Sequence, residues 1–228
     1  MEQTVSARVK KIDSSGDSVV DDAIAVEEPL EIQVSHISSD RRVVRPVSIT
    51  MRTPGEDGEL ALGFLCTEGI LSDLEQVQEV RIASGASDCQ PETNRICVVL
   101  KDDYAVDLGR LDRHFYTSSS CGVCGKASLE ALSLDDATPF AGNLPKIVEN
   151  VVHQLPARLR RQQETFEKTG GLHAAALFDS DGGLRVLRED VGRHNAVDKV
   201  AGAILQDPQL DPNQSVLLVS GRTSFEIL

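Results

Sequence analysis

Apolar and polar residues alternate along two runs near the start of the chain, as they do in strands that bury one face. A polar turn at residues 38–40 separates the two runs. The apolar positions of the runs are Leu30, Ile32, Val34, Val47, Ile49 and Met51. The pattern predicts a β-hairpin whose apolar positions lie on the buried face.

A helix and a further strand are predicted after this hairpin. Thr53 places a capping hydroxyl before Pro54, which suits the first helical position, so we expect a helix that begins there and stops at Gly69. Residues 96–100 are a short β-branched run, which predicts a buried strand. Cys97 in this run is expected to pack as a small hydrophobic residue.

The second half of the chain alternates between strands and helices. Two helices are predicted, one over residues 147–155 and a second that restarts at Pro156 and is ended by Gly170. Beyond them, strands are predicted at residues 172–178, 184–187 and 216–220, with one helix before the third strand and another after it. The order β-β-α-β-α indicates an α/β (α+β) fold with a mixed sheet.

The length of 228 residues and the 40% of hydrophobic residues allow one large domain or two small ones, and we favour two. Residues 1–25 contain few large apolar groups and are expected to form a mobile tail. We assign residues 26–116 to a smaller, β-rich N-terminal region. Residues 117–228 form the C-terminal region, which begins with a cysteine-containing loop.

The charge of the chain disfavours two classes of partner. Lys and Arg number 23 against 36 Asp and Glu, a formal net charge of -13, so sequence-blind binding to nucleic acid or to an anionic membrane is not expected. No apolar run is long enough to span a bilayer, and the first residues lack the layout of a secretory signal. We expect a cytoplasmic protein.

Cys121 and Cys124 form a Cys-x-x-Cys pair in a loop of small residues, 118–126. Five cysteines at irregular spacing do not resemble a secreted disulfide framework, so this pair is better explained as catalytic or metal-binding. One thiol could be a nucleophile that carries sulfur, or the pair could be a redox dithiol. It could also supply two ligands of a structural zinc site, although no second ligand pair is evident.

Two turns between a strand and a helix contain basic residues. Arg193 and His194 fall in the first turn of a predicted helix, where positive charge opposes the helix dipole, so an anionic group should compensate it. Glu189 and Asp190 could do this as caps and ion pairs. The alternative is a phosphate or carboxylate ligand.

The other turn follows the last predicted strand and contains Arg222, Thr223 and Ser224. Capping-box spacing to Glu226 accounts for Thr223 but not for Arg222. Because ligands of open α/β sheets bind beyond the carboxyl ends of strands, both turns are expected to face one crevice. His173 begins a strand and is a further candidate, although a lone histidine there is commonly structural.

Taken together, the motifs resemble those of the FdhD family over residues 26–228. They lie, in chain order, at residues 53–57, 61–64, 67–70, 121–125, 169–176, 189–195 and 220–224. The resemblance implies a C-terminal region similar to the cytidine deaminase fold, and a homodimer. It implies the fold only, since the segment after His173 lacks the glutamate of a zinc deaminase.

The resemblance also implies a function. Such a protein is a sulfurtransferase that accepts sulfur from a cysteine desulfurase as a persulfide and passes it to bis-molybdopterin guanine dinucleotide, the molybdenum cofactor of formate dehydrogenase. Cys121 would hold the persulfide and Cys124 would assist or shield it, without a permanent metal. The candidate residues for cofactor binding are then His173, Arg193, His194, Arg222, Thr223 and Ser224. Family members continue beyond this last turn, so we expect a C-terminal segment to be missing from this sequence.

Overall fold

A computed structural model describes residues 2–14, 16–82, 94–104 and 145–223. The predictions for Cys121, Cys124 and Ser224, and for a helix after the last strand, lie outside these residues. The strands are β1 (Thr4–Asp13), β2 (Gly16–Ala25), β3 (Glu28–Ser38), β4 (Arg41–Arg52), β5 (Val77–Ile82), β6 (Arg95–Leu100), β7 (His173–Asp179), β8 (Leu184–Asp190) and β9 (Ser215–Val219). The helices are α1 (Asp57–Thr67), α2 (Glu149–Gln162), α3 (Glu164–Thr169) and α4 (Arg193–Gln206), with single 3-10 turns at Leu74–Gln76 and Pro212–Gln214.

Strands β1 and β2 pair as an antiparallel hairpin, so the prediction of a tail without regular structure is wrong. Composition underestimated this segment because it does not count the backbone ladder or the cross-strand ion pairs, such as Lys10 Nζ to Asp17 Oδ2 at 2.5 Å. The base of the hairpin is also held, since the Thr165 hydroxyl donates to Gln3 Oε1 at 2.9 Å.

The N-terminal region contains a four-stranded sheet in the order β4-β3-β6-β5, in which β3 and β6 are parallel and the other pairs are antiparallel. The predicted hairpin is confirmed as β3 and β4. Its turn is formed by Ser39 and Asp40, which both have the positive φ of a primed hairpin turn, 49° and 61°. Helix α1 packs on this sheet and completes the first core.

The predicted buried face of β4 is wrong in its second half. A register shift at Ile32/Gln33 changes which side chains face inward, so Val47 is 2% exposed whereas Ile49 is 55% exposed and Met51 is 46% exposed. Arg52 is fully buried instead, and its guanidinium binds both carboxylate oxygens of Asp57 at 2.9 and 3.0 Å. A bulge shifts the alternation by one residue, which the period-two pattern could not reveal.

Two helix boundaries differ from the predictions. Helix α1 begins at Asp57 rather than at Thr53, because the Thr53 hydroxyl contacts the C-terminal region instead of capping the helix. The end of the helix at Gly69, with φ of 70°, is confirmed. Helix α2 continues through Pro156, so the predicted restart there is wrong; the break comes at Gln163, which has non-helical backbone angles.

The C-terminal sheet has the order β8-β7-β9, and its three described strands pair antiparallel. The α+β class is therefore confirmed. A mixed sheet was predicted for the C-terminal region, but among the described residues the sheet that combines parallel and antiparallel strands is the N-terminal one. Helix α4 packs on the C-terminal sheet and also crosses α1 closely. At that crossing, a Cβ added to Gly63 would lie 1.7 Å from the Asp198 carbonyl oxygen, and one added to Gly202 would lie 1.9 Å from that of Glu59. The two regions thus share a tight helix contact.

Candidate functional site

Strand topology brings three chain segments to one edge of the C-terminal sheet. Because β7 runs antiparallel to both neighbours, its start at His173 lies beside the ends of β8 and β9. His173 is paired with Asp190 at the end of β8. On the other side, Ser220 donates its N–H to the Ala174 carbonyl at 2.8 Å and accepts the Ala174 N–H on its hydroxyl at 2.8 Å. Both strand-to-helix turns identified in the sequence therefore open on one edge, as expected.

The three segments come close together at Gly221. A Cβ added there would lie 3.2 Å from His173 Nδ1 and 3.5 Å from Arg193 Cδ. The glycine therefore lets the chain after β9 approach the imidazole and the arginine side chain together. Arg222 and Thr223 follow directly and are exposed.

Arg193 is the first residue of α4, and Gly192 occupies the N-cap position without a side-chain cap. The first turn contains no acidic residue, and His194 comes next in it. The Nε atom of Arg193 is buried and has no hydrogen-bond partner among the described residues. A guanidinium at the positive end of a helix dipole, with an unsatisfied donor, is a favourable position for an anionic oxygen.

Glu189 has a different function from the one considered for it. Its carboxylate accepts the backbone N–H groups of Thr165 at 2.9 Å and Phe166 at 2.8 Å, so it caps the start of α3. Within the described part of the chain, no hydrogen bond joins Glu189 or Asp190 to the Arg193 guanidinium. The prediction that the two acids compensate Arg193 as ion pairs is therefore not supported there, although Asp190 does accept the Gly192 N–H.

Asp190 belongs to a buried cluster below the turn, which we call the turn network and define as Thr53, Asp190, Asn195 and Lys199. Lys199 Nζ lies 2.8 Å from Asp190 Oδ2, and both side chains are 0% exposed. Asp190 Oδ1 accepts from the Gly192 N–H at 2.8 Å and from Asn195 Nδ2 at 3.0 Å. The network therefore holds the backbone that leads into Arg193.

The turn network also reaches the N-terminal region. Thr53 donates its N–H to Asp190 Oδ2 at 3.2 Å, accepts from Lys199 Nζ on its carbonyl at 3.0 Å, and accepts the Val191 N–H on its hydroxyl at 3.2 Å. Asn195 donates to the Met51 carbonyl at 2.8 Å and accepts from the Thr50 hydroxyl at 2.9 Å. The site edge is thus fixed against the end of β4.

Sequence reasoning missed the turn network, although one signal for it existed. Lys199 lies on the same helix face as Ala196, Val200 and Ala203, all of which are buried. A charged residue on an otherwise apolar helix face is rarely fully buried unless it is paired. Asp190, at the end of a strand, was the available partner.

A second ion pair joins the two regions away from the site edge. Arg188 binds Glu59 of α1 through both Nε, at 2.5 Å, and Nη2, at 2.7 Å. These hydrogen bonds to Glu59 raise the pKa of the Arg188 guanidinium. Glu59 also lies beside Gly202, in the second half of α4.

The two cysteines in the described residues are poorly suited to nucleophilic chemistry. Cys66 lies in α1; burial, and then the charge of Asp198, raise the pKa of its thiol above the ordinary value. Cys97 is buried in β6 as expected, and burial raises the pKa of its thiol although Arg81 opposes this effect. Since the thiolate is the reactive form, neither resembles an activated thiol.

Within residues 2–14, 16–82, 94–104 and 145–223, no group of three or more His, Cys, Asp or Glu residues could hold a metal ion. No helix in this part of the chain is long and apolar enough to cross a membrane.

Comparison with known proteins decides the family. The model of the FdhD/NarQ family matches residues 25–228. The chain belongs to this family. Sulfur carrier protein FdhD of Streptomyces coelicolor is 44% identical over 226 residues, which cover 98% of this chain and 77% of that protein. The protein of the same name from Mycobacterium tuberculosis is 43% identical over 230 residues, covering 98% of this chain and 80% of its own.

Structural comparison also finds a solved protein with a similar fold. A proposed formate dehydrogenase accessory protein from Desulfotalea psychrophila superposes with a TM-score of 0.65 at 23% identity, covering 99% of this chain and 77% of the other. The resemblance seen in the sequence is therefore confirmed at the level of family and fold. The likeness to the cytidine deaminase fold stays a prediction.

Proposed function

We propose that this protein is a sulfur carrier that serves formate dehydrogenase. It takes sulfur from a cysteine desulfurase as a persulfide on Cys121 and delivers it to bis-molybdopterin guanine dinucleotide. The FdhD relatives, 44% and 43% identical and named sulfur carrier proteins, support the first part of this proposal. The spacing of Cys121 and Cys124 in a stretch of small residues supports the choice of thiol.

The sulfur-accepting step is a thiol exchange. The Cys121 thiolate attacks the outer sulfur of the persulfide on the desulfurase, a new S–S bond forms at Cys121, and the desulfurase cysteine leaves as a thiolate. No external oxidant or reductant is needed, because one S–S bond replaces another. Cys124 lies three residues away and is proposed to assist or shield the persulfide.

The observation that supports binding of the dinucleotide is the convergence at Gly221. His173, Arg193 and the segment leading to Arg222 meet there, and the buried Arg193 Nε has no acceptor among the described residues. Phosphate oxygens of the guanine dinucleotide would supply that acceptor and compensate the positive helix end. We assign His173, Arg193, His194, Arg222 and Thr223 to this role, together with Ser224, and we propose that the protein acts as a homodimer.

Intact-mass measurement tests the sulfur-carrier proposal. After incubation with a cysteine desulfurase and cysteine, wild-type protein should gain one sulfur, and a reductant should remove it. The adduct should be absent from Cys121→Ala and present in the matched control Cys66→Ala, whose thiol pKa is raised by burial. A wild-type protein without an adduct, or an adduct that persists in Cys121→Ala, would contradict the proposal.

A further inference from the structure

We infer that the turn network is a positioning device: Asp190, Lys199, Asn195 and Thr53 hold the turn between β8 and α4 so that Arg193 is presented to the anionic ligand. These residues act through Arg193 and do not themselves meet the ligand. The ligand-binding part of this inference rests on the proposed function, whereas its geometric part does not.

Every polar group of the network is used. Lys199 Nζ donates to Asp190 Oδ2, to the Thr53 carbonyl and to the Glu189 carbonyl at 2.8, 3.0 and 3.3 Å, which accounts for its three protons. The Asp190 carboxylate receives Lys199 and three further donors from Thr53, Gly192 and Asn195. A cluster this fully bonded has one arrangement, because any shift would leave a buried group without its partner.

The network supplies the side-chain contacts of the turn backbone. The N–H of Val191 is bound by the Thr53 hydroxyl at 3.2 Å, and the N–H of Gly192 by Asp190 Oδ1 at 2.8 Å. The turn is also closely packed, since a Cβ added to Gly192 would lie 3.0 Å from Asn195 Nδ2. The peptide groups just before Arg193 are therefore oriented together by Thr53, which follows β4, and by residues of β8 and α4.

Stability alone does not explain a fully buried ion pair. The cost of removing two charges from water commonly equals or exceeds their attraction, so a packed apolar pair often serves the fold as well. What an apolar pair cannot do is accept the N–H groups of Gly192 and Thr53. The geometry of the turn is the property that requires the carboxylate.

A conservative pair of variants at Thr53 tests the inference. Thr53→Val keeps the side-chain shape but removes the acceptor for the Val191 N–H, whereas Thr53→Ser keeps the acceptor. Hydrogen exchange at the Val191 amide should be about tenfold faster in Thr53→Val, and the dissociation constant for GDP should rise about fivefold. Both should stay within about twofold of wild type in Thr53→Ser.

A second pair of variants removes the charges together, so that neither leaves a buried charge without its partner. Asp190→Asn with Lys199→Met keeps one amide oxygen for the Gly192 N–H but none for the Thr53 N–H, and GDP should bind about threefold more weakly than to wild type. Asp190→Leu with Lys199→Met leaves no acceptor, and GDP should bind about tenfold more weakly. Equal GDP affinity of the two double variants overturns the inference.

The matched control is Glu59→Gln with Arg188→Gln, which removes the ion pair between α1 and β8 and leaves an uncharged polar side chain at each position. Its GDP affinity and its Val191 exchange rate should equal those of wild type. A loss as large as that of Thr53→Val would show that general loosening, not positioning, explains the effect.

Failure of the inference is distinguishable from failure of the proposed function. If wild-type protein binds neither GDP nor inorganic phosphate, the nucleotide part of the proposed function fails. Exchange at the Val191 and Gly192 amides still decides the geometric claim. Unchanged exchange in Thr53→Val and in Asp190→Leu with Lys199→Met would refute it.

Discussion

Two ion pairs lie where the N-terminal and C-terminal regions meet, one inside the C-terminal region between Asp190 and Lys199 and one between the regions, and they differ in what each carboxylate accepts. In the turn network, Asp190 is bound by Lys199 and also by backbone N–H groups, and both charged side chains are 0% exposed. In the second pair, Glu59 is bound by Arg188, and the side chains are 19% and 25% exposed, respectively. The first contact sets the path of a loop, whereas the second only holds two elements together. The two contacts therefore differ in burial and in hydrogen bonds to the backbone, although both consist of opposite charges.

The largest effect should come from breaking the buried pair on one side. Lys199→Ala leaves Asp190 charged and buried without its cation, and the free energy of unfolding should fall by about 3–5 kcal/mol. Urea denaturation measures this value. Asp190→Asn with Lys199→Met should recover most of the loss. A single variant no less stable than the double would contradict the account of the turn network.

A substitution at the crossing of α1 and α4 should have the next largest effect on stability. Gly202→Ala places a Cβ 1.9 Å from the Glu59 carbonyl oxygen, so α1 and α4 must separate, at a cost of about 1–3 kcal/mol in unfolding free energy. The control is Gly58→Ala in α1, where a Cβ would be 3.9 Å from Val80 and should be neutral or stabilising. Equal stability of the two variants in thermal melts would show that the crossing is looser than described.

Removing the more exposed ion pair should have a smaller effect. Glu59→Gln with Arg188→Gln should lower the unfolding free energy by about 1 kcal/mol, because solvent already weakens this pair. The difference from wild type should shrink in high salt, since screening reduces what the wild-type pair contributes. If the unfolding free energy falls as much as in Lys199→Ala, or by an amount that does not depend on salt, the two ion pairs do not differ in the way described.

The reactivity of the Cys66 thiol should reveal whether the contact between α1 and α4 is intact, without a substitution at the contact itself. Burial and the charge of Asp198 hold the pKa of its thiol above the ordinary value, so it stays protonated at neutral pH and should react slowly with iodoacetamide. Labelling of Cys66, followed by peptide mass spectrometry, should accelerate as the pH rises. Labelling should also be faster in Gly202→Ala than in Gly58→Ala at the same pH. Equal rates would mean that the thiol does not sense the contact.

The sequence predicted those parts of the fold that local patterns determine. The β3 and β4 hairpin and the order of elements from β7 to β9 follow from periodicity and turn residues, and both are confirmed. The inward face of β4 did not follow, because the bulge at Ile32/Gln33 leaves no mark on a period-two pattern. The hairpin of β1 and β2 was missed because composition does not count the hydrogen bonds between paired strands.

The residues of the candidate site could be predicted from the sequence, but the buried contacts that position them could not. That the turns with Arg193 and Arg222 would share an edge followed from the rule that ligands bind beyond strand ends, whereas His173 was a separate candidate at the start of a strand. Thr53 was assigned to a helix cap because its nearest neighbours suit that role, whereas its partners Asp190 and Val191 lie 137 and 138 residues away. Long-range polar contacts of this kind have no local sequence pattern.

The most direct test of the site is a calorimetric titration of GDP into wild-type protein and Arg193→Ala, with Arg222→Ala alongside. Persulfide loading on Cys121 is first shown to be equal in all three by mass, so that only nucleotide binding differs. Loss of a charge-assisted contact to phosphate should weaken GDP binding to Arg193→Ala by at least about tenfold, with a smaller loss for Arg222→Ala. Equal GDP affinity in wild type and both variants would contradict the assignment of this edge as the nucleotide site.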